Sequence, residues 1–156
     1  MSKESIVEGL KHRVGQPPHV GEWLTIDRQL IDTFTELSQE DSFIHVDSER
    51  TRRETQYEDI IAQGNLALSL CNRLTKSAGL LDELDEQANV GLNYGWNKVR
   101  FPAPLPVNAR INGSVVLKQV SEVANNGVEV VREIVIHIEG QEKPCFVGEA
   151  VSRYYF

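Results

Sequence analysis

The spacing of apolar side chains divides the chain into a helical first half and an extended second half. Residues 3–13 and 28–38 place their apolar side chains on one side of a helix, and residues 60–78 form a longer helical pattern that is apolar on most sides. Four later segments are typical of strands: residues 92–101, 109–123, 128–139 and 144–156. A helix that is apolar all round has to be buried, and the strands supply a surface that can bury it.

Short connections join the predicted strands. Asn125-Asn126-Gly127 is typical of a hairpin turn, and residues 139–144 form a second loop. Consecutive strands with short connections pair antiparallel. The pattern therefore predicts an α+β protein with a helix on an antiparallel sheet, built as a single domain over residues 1–156.

Composition and charge indicate which kinds of binding partner the protein has. The formal net charge is −7 and the basic residues form no block, so we expect no nucleic-acid partner. There is no long apolar run and no apolar secretion signal, so we expect a cytoplasmic protein that does not bind membranes. Cys71 and Cys145 fall in apolar segments, and the chain has neither H-x-x-x-H nor C-x-x-C, so we expect no metal site.

A cluster of titratable side chains lies ahead of the long apolar helix. Glu40 and Asp41 precede His45 by five and four residues, Asp47 follows it, and Gly64 lies where the apolar helical run develops. A carboxylate holds an imidazole in one tautomer and raises its basicity. A helix N-terminus stabilises negative charge. A base, an acid and such an N-terminus are the groups that chemistry on an acyl thioester requires.

These segments resemble the MaoC-like hydratase/dehydratase family, and most of all its branch named after nodulation protein N. That branch typically reads G-D-x-x-W-I-H-x-D, then I-A-H-G, then a helix containing S-L. The matches here are Ile44-His45-Val46-Asp47, Ile61-Ala62, Gly64, Ser69-Leu70, Gly21-Glu22-Trp23-Leu24, Asn93-Tyr94-Gly95 and residues 98–102. The resemblance implies the hotdog fold, a curved antiparallel β-sheet wrapped around a long central α-helix. It also implies a homodimer whose two sheets join edge to edge.

The resemblance further implies an (R)-specific enoyl-CoA hydratase, or a 3-hydroxyacyl thioester dehydratase in the reverse direction. The substrate would be an acyl-CoA or acyl-carrier-protein thioester, and no cofactor is needed beyond that arm of the substrate. In the family, an aspartate and the histidine five residues later share one water, and the helix glycine donates its N–H to the thioester carbonyl. His45 and Gly64 match these positions, and the expected substrate-binding residues are Gln63, Asn65, Asn72 and Tyr94.

Two positions depart from the family pattern. Counted without a gap, Glu40 stands in place of the aspartate, while Asp41 is one residue out of register, and Gln63 replaces a histidine. Three interpretations stay open. Glu40 supplies the carboxylate, or a deletion brings Asp41 into that role, or the site is inactive. In the last case the chain is a non-catalytic hotdog protein that binds acyl thioesters or serves as a structural subunit. A thioesterase is a further alternative on the same fold. The gapless register predicts that Glu40 points at the water shared with His45 and that Asp41 turns outward.

Overall fold

Helices occupy the first half of the chain and long strands the second half in the computed structural model, which describes residues 2–156. The helices are α1 (Lys3–Arg13), α2 (Arg28–Ser38), α3 (Phe43–Val46), α4 (Ser48–Glu54), α5 (Gly64–Ser69), α6 (Cys71–Lys76) and α7 (Asp82–Gln87). The strands are β1 (His19–Val20), β2 (Leu24–Thr25), β3 (Val90–Arg100), β4 (Arg110–Val123), β5 (Gly127–Ile138) and β6 (Phe146–Tyr155). Among residues 2–156, no helix has both the length and the apolar character that a membrane crossing requires.

All strand pairs are antiparallel, and the sheet has the order β1-β4-β5-β6-β3, with β2 also pairing with β4. The bounds of the four long strands agree with the predicted ones within two residues. Asn125 and Asn126 have φ values of 62° and 57°. Positive φ at both central residues is what a tight hairpin between twisted strands requires. The predicted turn between β4 and β5 is confirmed.

The predicted helix over residues 60–78 is shorter and has an interruption. It begins at Gly64, and α5 and α6 are separated by Leu70, whose backbone stays right-handed at φ −86° and ψ −6°. Residues 60–63 are extended because their backbone pairs elsewhere: Ile61 bridges Pro106, and the Ala62 N–H donates to the Leu105 carbonyl at 2.8 Å. The prediction of a helical start at residue 60 was wrong for this reason.

Helices α5 and α6 lie on the sheet with one side only. Leu66, Ala67, Cys71 and Leu74 are buried against β4, β5 and β6, and they join the main hydrophobic core. Polar residues Asn65, Asn72 and Arg73 are exposed on the other side. The expectation that this helix is buried all round is therefore correct for its sheet-facing side alone.

Candidate active site

Two hydrogen bonds fix His45 against the segment that leads into α5. The Ile61 N–H donates to the Ile44 carbonyl at 2.9 Å, and His45 Nδ1 lies 2.7 Å from the Ile61 carbonyl oxygen. A carbonyl oxygen can only accept, so Nδ1 carries the proton in the neutral ring and Nε2 holds a free lone pair. The predicted loop around His45 is in fact the one-turn helix α3. The imidazole is thus held in the tautomer that a general base needs at Nε2.

The end of α2 directs Glu40 toward the same segment. Gln39 adopts a left-handed conformation at φ 60° and closes the helix. Glu40 follows directly, and its Oε1 accepts a hydrogen bond from Asn65 Nδ2 at 2.7 Å. Its Oε2 has no hydrogen-bond partner among residues 2–156. The carboxylate therefore reaches the first turn of α5 with one oxygen available to a ligand.

Gln63 connects these two elements from inside the protein. Its side chain is fully buried, and Nε2 donates to Thr35 Oγ1 at 2.8 Å and to the Glu40 carbonyl at 3.3 Å. Its Oε1 is buried without a partner among the described residues. The amide that replaces the family histidine thus holds the backbone of Glu40 in place, which makes Gln63 a positioning residue.

A cavity of about 300 Å³ opens beside His45 and the start of α5. His45, Gln63, Gly64, Phe101 and Cys145 are among the residues that line it. A Cβ atom at Gly64 would lie 2.9 Å from Cγ of the Phe101 ring, so this position has room for glycine alone unless the ring moves. The Gly64 N–H is the first of the helix and has no intrahelical acceptor.

Cys145 is the cysteine that lines this cavity. Burial raises the pKa of the Cys145 thiol to about 12, so the thiol stays protonated near neutral pH. Its Sγ donates to the Ile136 carbonyl at 3.6 Å. Among the described residues, no group of three or more His, Cys, Asp or Glu side chains could hold a metal ion. The titratable side chains that line the cavity are those of His45, Tyr57 and Cys145, and Glu40 is not among its lining residues.

The structure brings four of the predicted polar residues together and leaves three apart. Glu40, His45, Gln63 and Asn65 all hydrogen-bond within or onto residues 61–65. Asp41, by contrast, is exposed. Asn72 lines two other cavities farther along the helix, and Tyr94 is 59% exposed on β3 with the Arg153 guanidinium 3.4 Å from its ring centroid.

Sequence reasoning missed two contributors to this region. Thr35 was assigned to α2 alone, yet its hydroxyl accepts from Gln63. Phe101 was quoted only as part of a matched motif, yet its ring covers Gly64. No local pattern marks either role, because each contact joins segments about thirty or more residues apart.

Comparison with known proteins shows which family the chain belongs to. The family model described as "MaoC like domain" matches residues 10–138. The 3-hydroxyacyl-thioester dehydratase Z of Mycobacterium tuberculosis is 31% identical over 151 residues, which cover 97% of this chain and 96% of that protein. Nodulation protein N of Rhizobium leguminosarum bv. viciae is 31% identical over 144 residues, covering 92% and 88%.

Solved structures agree on the fold. The MaoC-like dehydratase from Rhodospirillum rubrum superposes with a TM-score of 0.73 over 91% of this chain and 92% of that chain, at 14% sequence identity. The antiparallel sheet with a helical segment lying on it agrees with the fold that the resemblance implies. The chain therefore belongs to the MaoC-like dehydratase family and has the hotdog fold.

Proposed function

We propose that the protein hydrates trans-2-enoyl thioesters to (3R)-3-hydroxyacyl thioesters and catalyses the reverse dehydration. The observation that carries the proposal is the pair of anchors on residues 61–65. His45 is fixed there by its Nδ1 proton, and Glu40 is fixed there through Asn65. Family membership and the 31% identity to a 3-hydroxyacyl-thioester dehydratase support this class of reaction.

One water lies between the free lone pair of His45 Nε2 and the free oxygen of Glu40 in this mechanism. Its oxygen bonds to C3 of the substrate while one of its protons passes to the carboxylate–imidazole pair. The C2–C3 π electrons move toward the thioester carbonyl, and C2 then takes a proton from the same pair. The product contains every atom of the substrate and of the water, and the residues return to their starting state. No cofactor is required.

The Gly64 N–H stabilises the enolate oxygen that forms along this path. A backbone donor aimed at developing negative charge is typically worth about 2.7–4 kcal/mol of barrier. The helical backbone from Gly64 continues through Leu70 to Lys76 and adds its dipole to that donor. Glycine fits this position because a Cβ atom would lie 2.9 Å from Cγ of the Phe101 ring.

The active unit in this proposal is a homodimer joined along β3. Within residues 2–156 that strand pairs with β6 alone and forms an open edge of the sheet. Its apolar side chains Val90, Leu92 and Tyr94 are 44%, 50% and 59% exposed. An exposed edge that carries apolar side chains favours pairing with a second copy.

Loss of the enoyl absorbance of crotonyl-CoA on addition of the purified protein tests the proposed activity. A non-catalytic hotdog protein remains the alternative, because Glu40 and Gln63 depart from the family pattern. That alternative predicts binding of CoA esters without turnover. A thioesterase would instead release free CoA, which a thiol reagent detects in the same assay.

A further inference from the structure

A charged side chain interrupts the apolar inner face of β5. Alternate residues on this strand face the core, and Val128, Val130, Ile134 and Ile136 are all fully buried. Arg132 falls on the same face and is only 8% exposed. The strand therefore places a guanidinium where the alternation calls for an apolar side chain.

The guanidinium is incompletely satisfied within the chain. Its Nη2 donates to Ser152 Oγ at 2.9 Å, while Nε is buried without a partner among residues 2–156. No ion pair of the described residues includes Arg132. Burial lowers the pKa of Arg132, an effect that Tyr154 and Asp85 partly oppose, but a guanidinium stays charged at neutral pH. Asp85 favours the charge from a distance, but no carboxylate among the described residues forms an ion pair with the guanidinium, so Nε is free to take a partner from outside the chain.

Arg132 lines a cavity of about 410 Å³ that lies between α6, α7 and the strands β3, β5 and β6. Polar side chains surround it there, namely Asn72, Thr75, Asn93 and Ser152. A cavity of this size, with a few convergent polar groups, is typical of a small-molecule site. A smaller cavity of about 130 Å³ also includes Arg132 and extends to Leu68 and Ser69 on α5.

The charged side chains that line the cavity indicate which kind of anion it binds. Lys76, Asp82 and Asp85 also line it, and Tyr154 donates to Asp85 Oδ1 at 3.1 Å. Two carboxylates repel a dianionic phosphate more strongly than a group with a single negative charge. The planar fork of a guanidinium also matches the two oxygens of a carboxylate. A carboxylate is thus the ligand group that fits.

We propose that this cavity binds a carboxylate at the far end of the acyl chain whose thioester lies at His45 and Gly64. The inference rests on the proposed function and names a substrate class for it, thioesters of dicarboxylic acids. Asn72 lies eight residues beyond Gly64, which is about 12 Å along the helix. An extended acyl chain of medium length is long enough to cover that distance, and Leu68 and Trp96 add apolar surface in the smaller cavity, which Arg132 also lines.

Calorimetric binding of two saturated thioesters of equal chain length tests the proposal without turnover. Sebacyl-CoA ends in a carboxylate and decanoyl-CoA ends in a methyl group. We expect the wild type to bind sebacyl-CoA at least tenfold more tightly, Arg132→Gln to lose that preference, and Lys143→Gln to keep it. Lys143 is an exposed loop residue, so its substitution removes the same charge at a distance from the cavity.

The outcomes separate this inference from the proposed function. Equal binding of the two esters, or an unchanged ratio in Arg132→Gln, overturns the inference even when crotonyl-CoA is hydrated. If Arg132→Gln dissociates a dimer and leaves the ratio unchanged, Arg132 pairs with a second copy and the inference is wrong. If neither ester binds the wild type, the proposed function fails and the substrate assignment fails with it. Should Arg132→Gln not fold, Arg132→Lys keeps the charge without the planar fork, and an unchanged ratio in that variant overturns the inference.

Discussion

Glu40 Oε1 accepts a hydrogen bond of 2.7 Å from Asn65 Nδ2, which ties the carboxylate to the first turn of α5. Asp41, the next residue, is exposed. This relationship favours Glu40 as the carboxylate that acts with His45, as the gapless register predicts. The deletion hypothesis would have placed Asp41 at the helix instead.

Substitution of the two acids separates their roles. Glu40→Gln keeps the size of the side chain but removes the carboxylate, so we expect the hydration rate to fall by roughly a hundred- to ten-thousandfold. Asp41→Asn should change the rate little, and Glu40→Asp should preserve or raise activity. The kcat of each variant on crotonyl-CoA gives the answer, and inactivation by Asp41→Asn would show that our register is wrong.

His45 can be changed with and without loss of its structural hydrogen bond. His45→Ala removes the base and the bond to the Ile61 carbonyl, so activity should vanish while stability falls by about 1 kcal/mol, or about 2–4 °C in Tm. His45→Asn is the matched control, because its amide can still donate to that carbonyl. We expect His45→Asn to melt near the wild-type temperature and to be equally inactive. Substantial hydration by either variant would remove His45 from the mechanism.

Gly64→Ala tests the close approach of the thioester carbonyl to the helix. The added Cβ would lie 2.9 Å from Phe101 Cγ, but that ring is 46% exposed and can shift, so stability should change little. Activity should fall by about a hundredfold, because a misplacement of about 1 Å has that effect on a positioned substrate. The double variant Gly64→Ala, Phe101→Leu relieves the contact with the ring. Recovery of full activity in the double variant would mean that the ring, and not carbonyl approach, dictates glycine.

Three buried groups should lower the free energy of unfolding at alkaline pH. Burial raises the pKa of Cys71 and of Cys145 from 9.0 to about 12, and burial followed by Asp85 raises the pKa of Tyr154 from 10.0 to about 12. The unfolded chain releases these protons near their ordinary values while the folded chain retains them. The contribution of these three groups to the free energy of unfolding should therefore be steady below about pH 9 and fall as the pH rises toward about 12. Urea unfolding across this range measures the fall, which should be smaller in Cys71→Ala, and a flat profile would contradict the burial of these groups.

The mass of the protein in solution tests whether two copies associate along β3. We expect the sedimentation mass of the wild type at micromolar concentration to be that of a dimer. Leu92→Lys places a charge on the exposed edge, which is a common way to block edge pairing, and should shift the mass to that of a monomer. A monomeric wild type would leave the proposed dimer without support.

The alternation of apolar and polar residues predicted the strands well, because the residue types along a strand show which side chains are buried and which are exposed. Residues 128–139 alternate so cleanly that the predicted and observed bounds of β5 differ by one residue. The hairpin was equally predictable from the sequence, since Asn125 and Asn126 adopt the positive φ that their residue type tolerates. Arg132 occupies an inward position of the same alternation, although no role was predicted for it.

Contacts between distant segments could not be read from local pattern. Residues 60–63 look helical, but pairing with Leu105 and Pro106 draws them into extended backbone. Asn72, two turns after Gly64, was expected to line the site because some members of the family have a serine near the site at that position. Eight residues advance a helix by about 12 Å and rotate the side chain by about 80°, so it faces another cavity.

The most direct test of the central claim is the initial rate at which the wild type, Glu40→Gln and His45→Asn consume crotonyl-CoA. We predict turnover by the wild type and a loss of at least about a hundredfold in each variant, with folding and CoA-ester binding retained. A wild type that binds CoA esters but leaves the enoyl absorbance unchanged, or variants as active as the wild type, would contradict the claim that Glu40 and His45 hydrate the thioester.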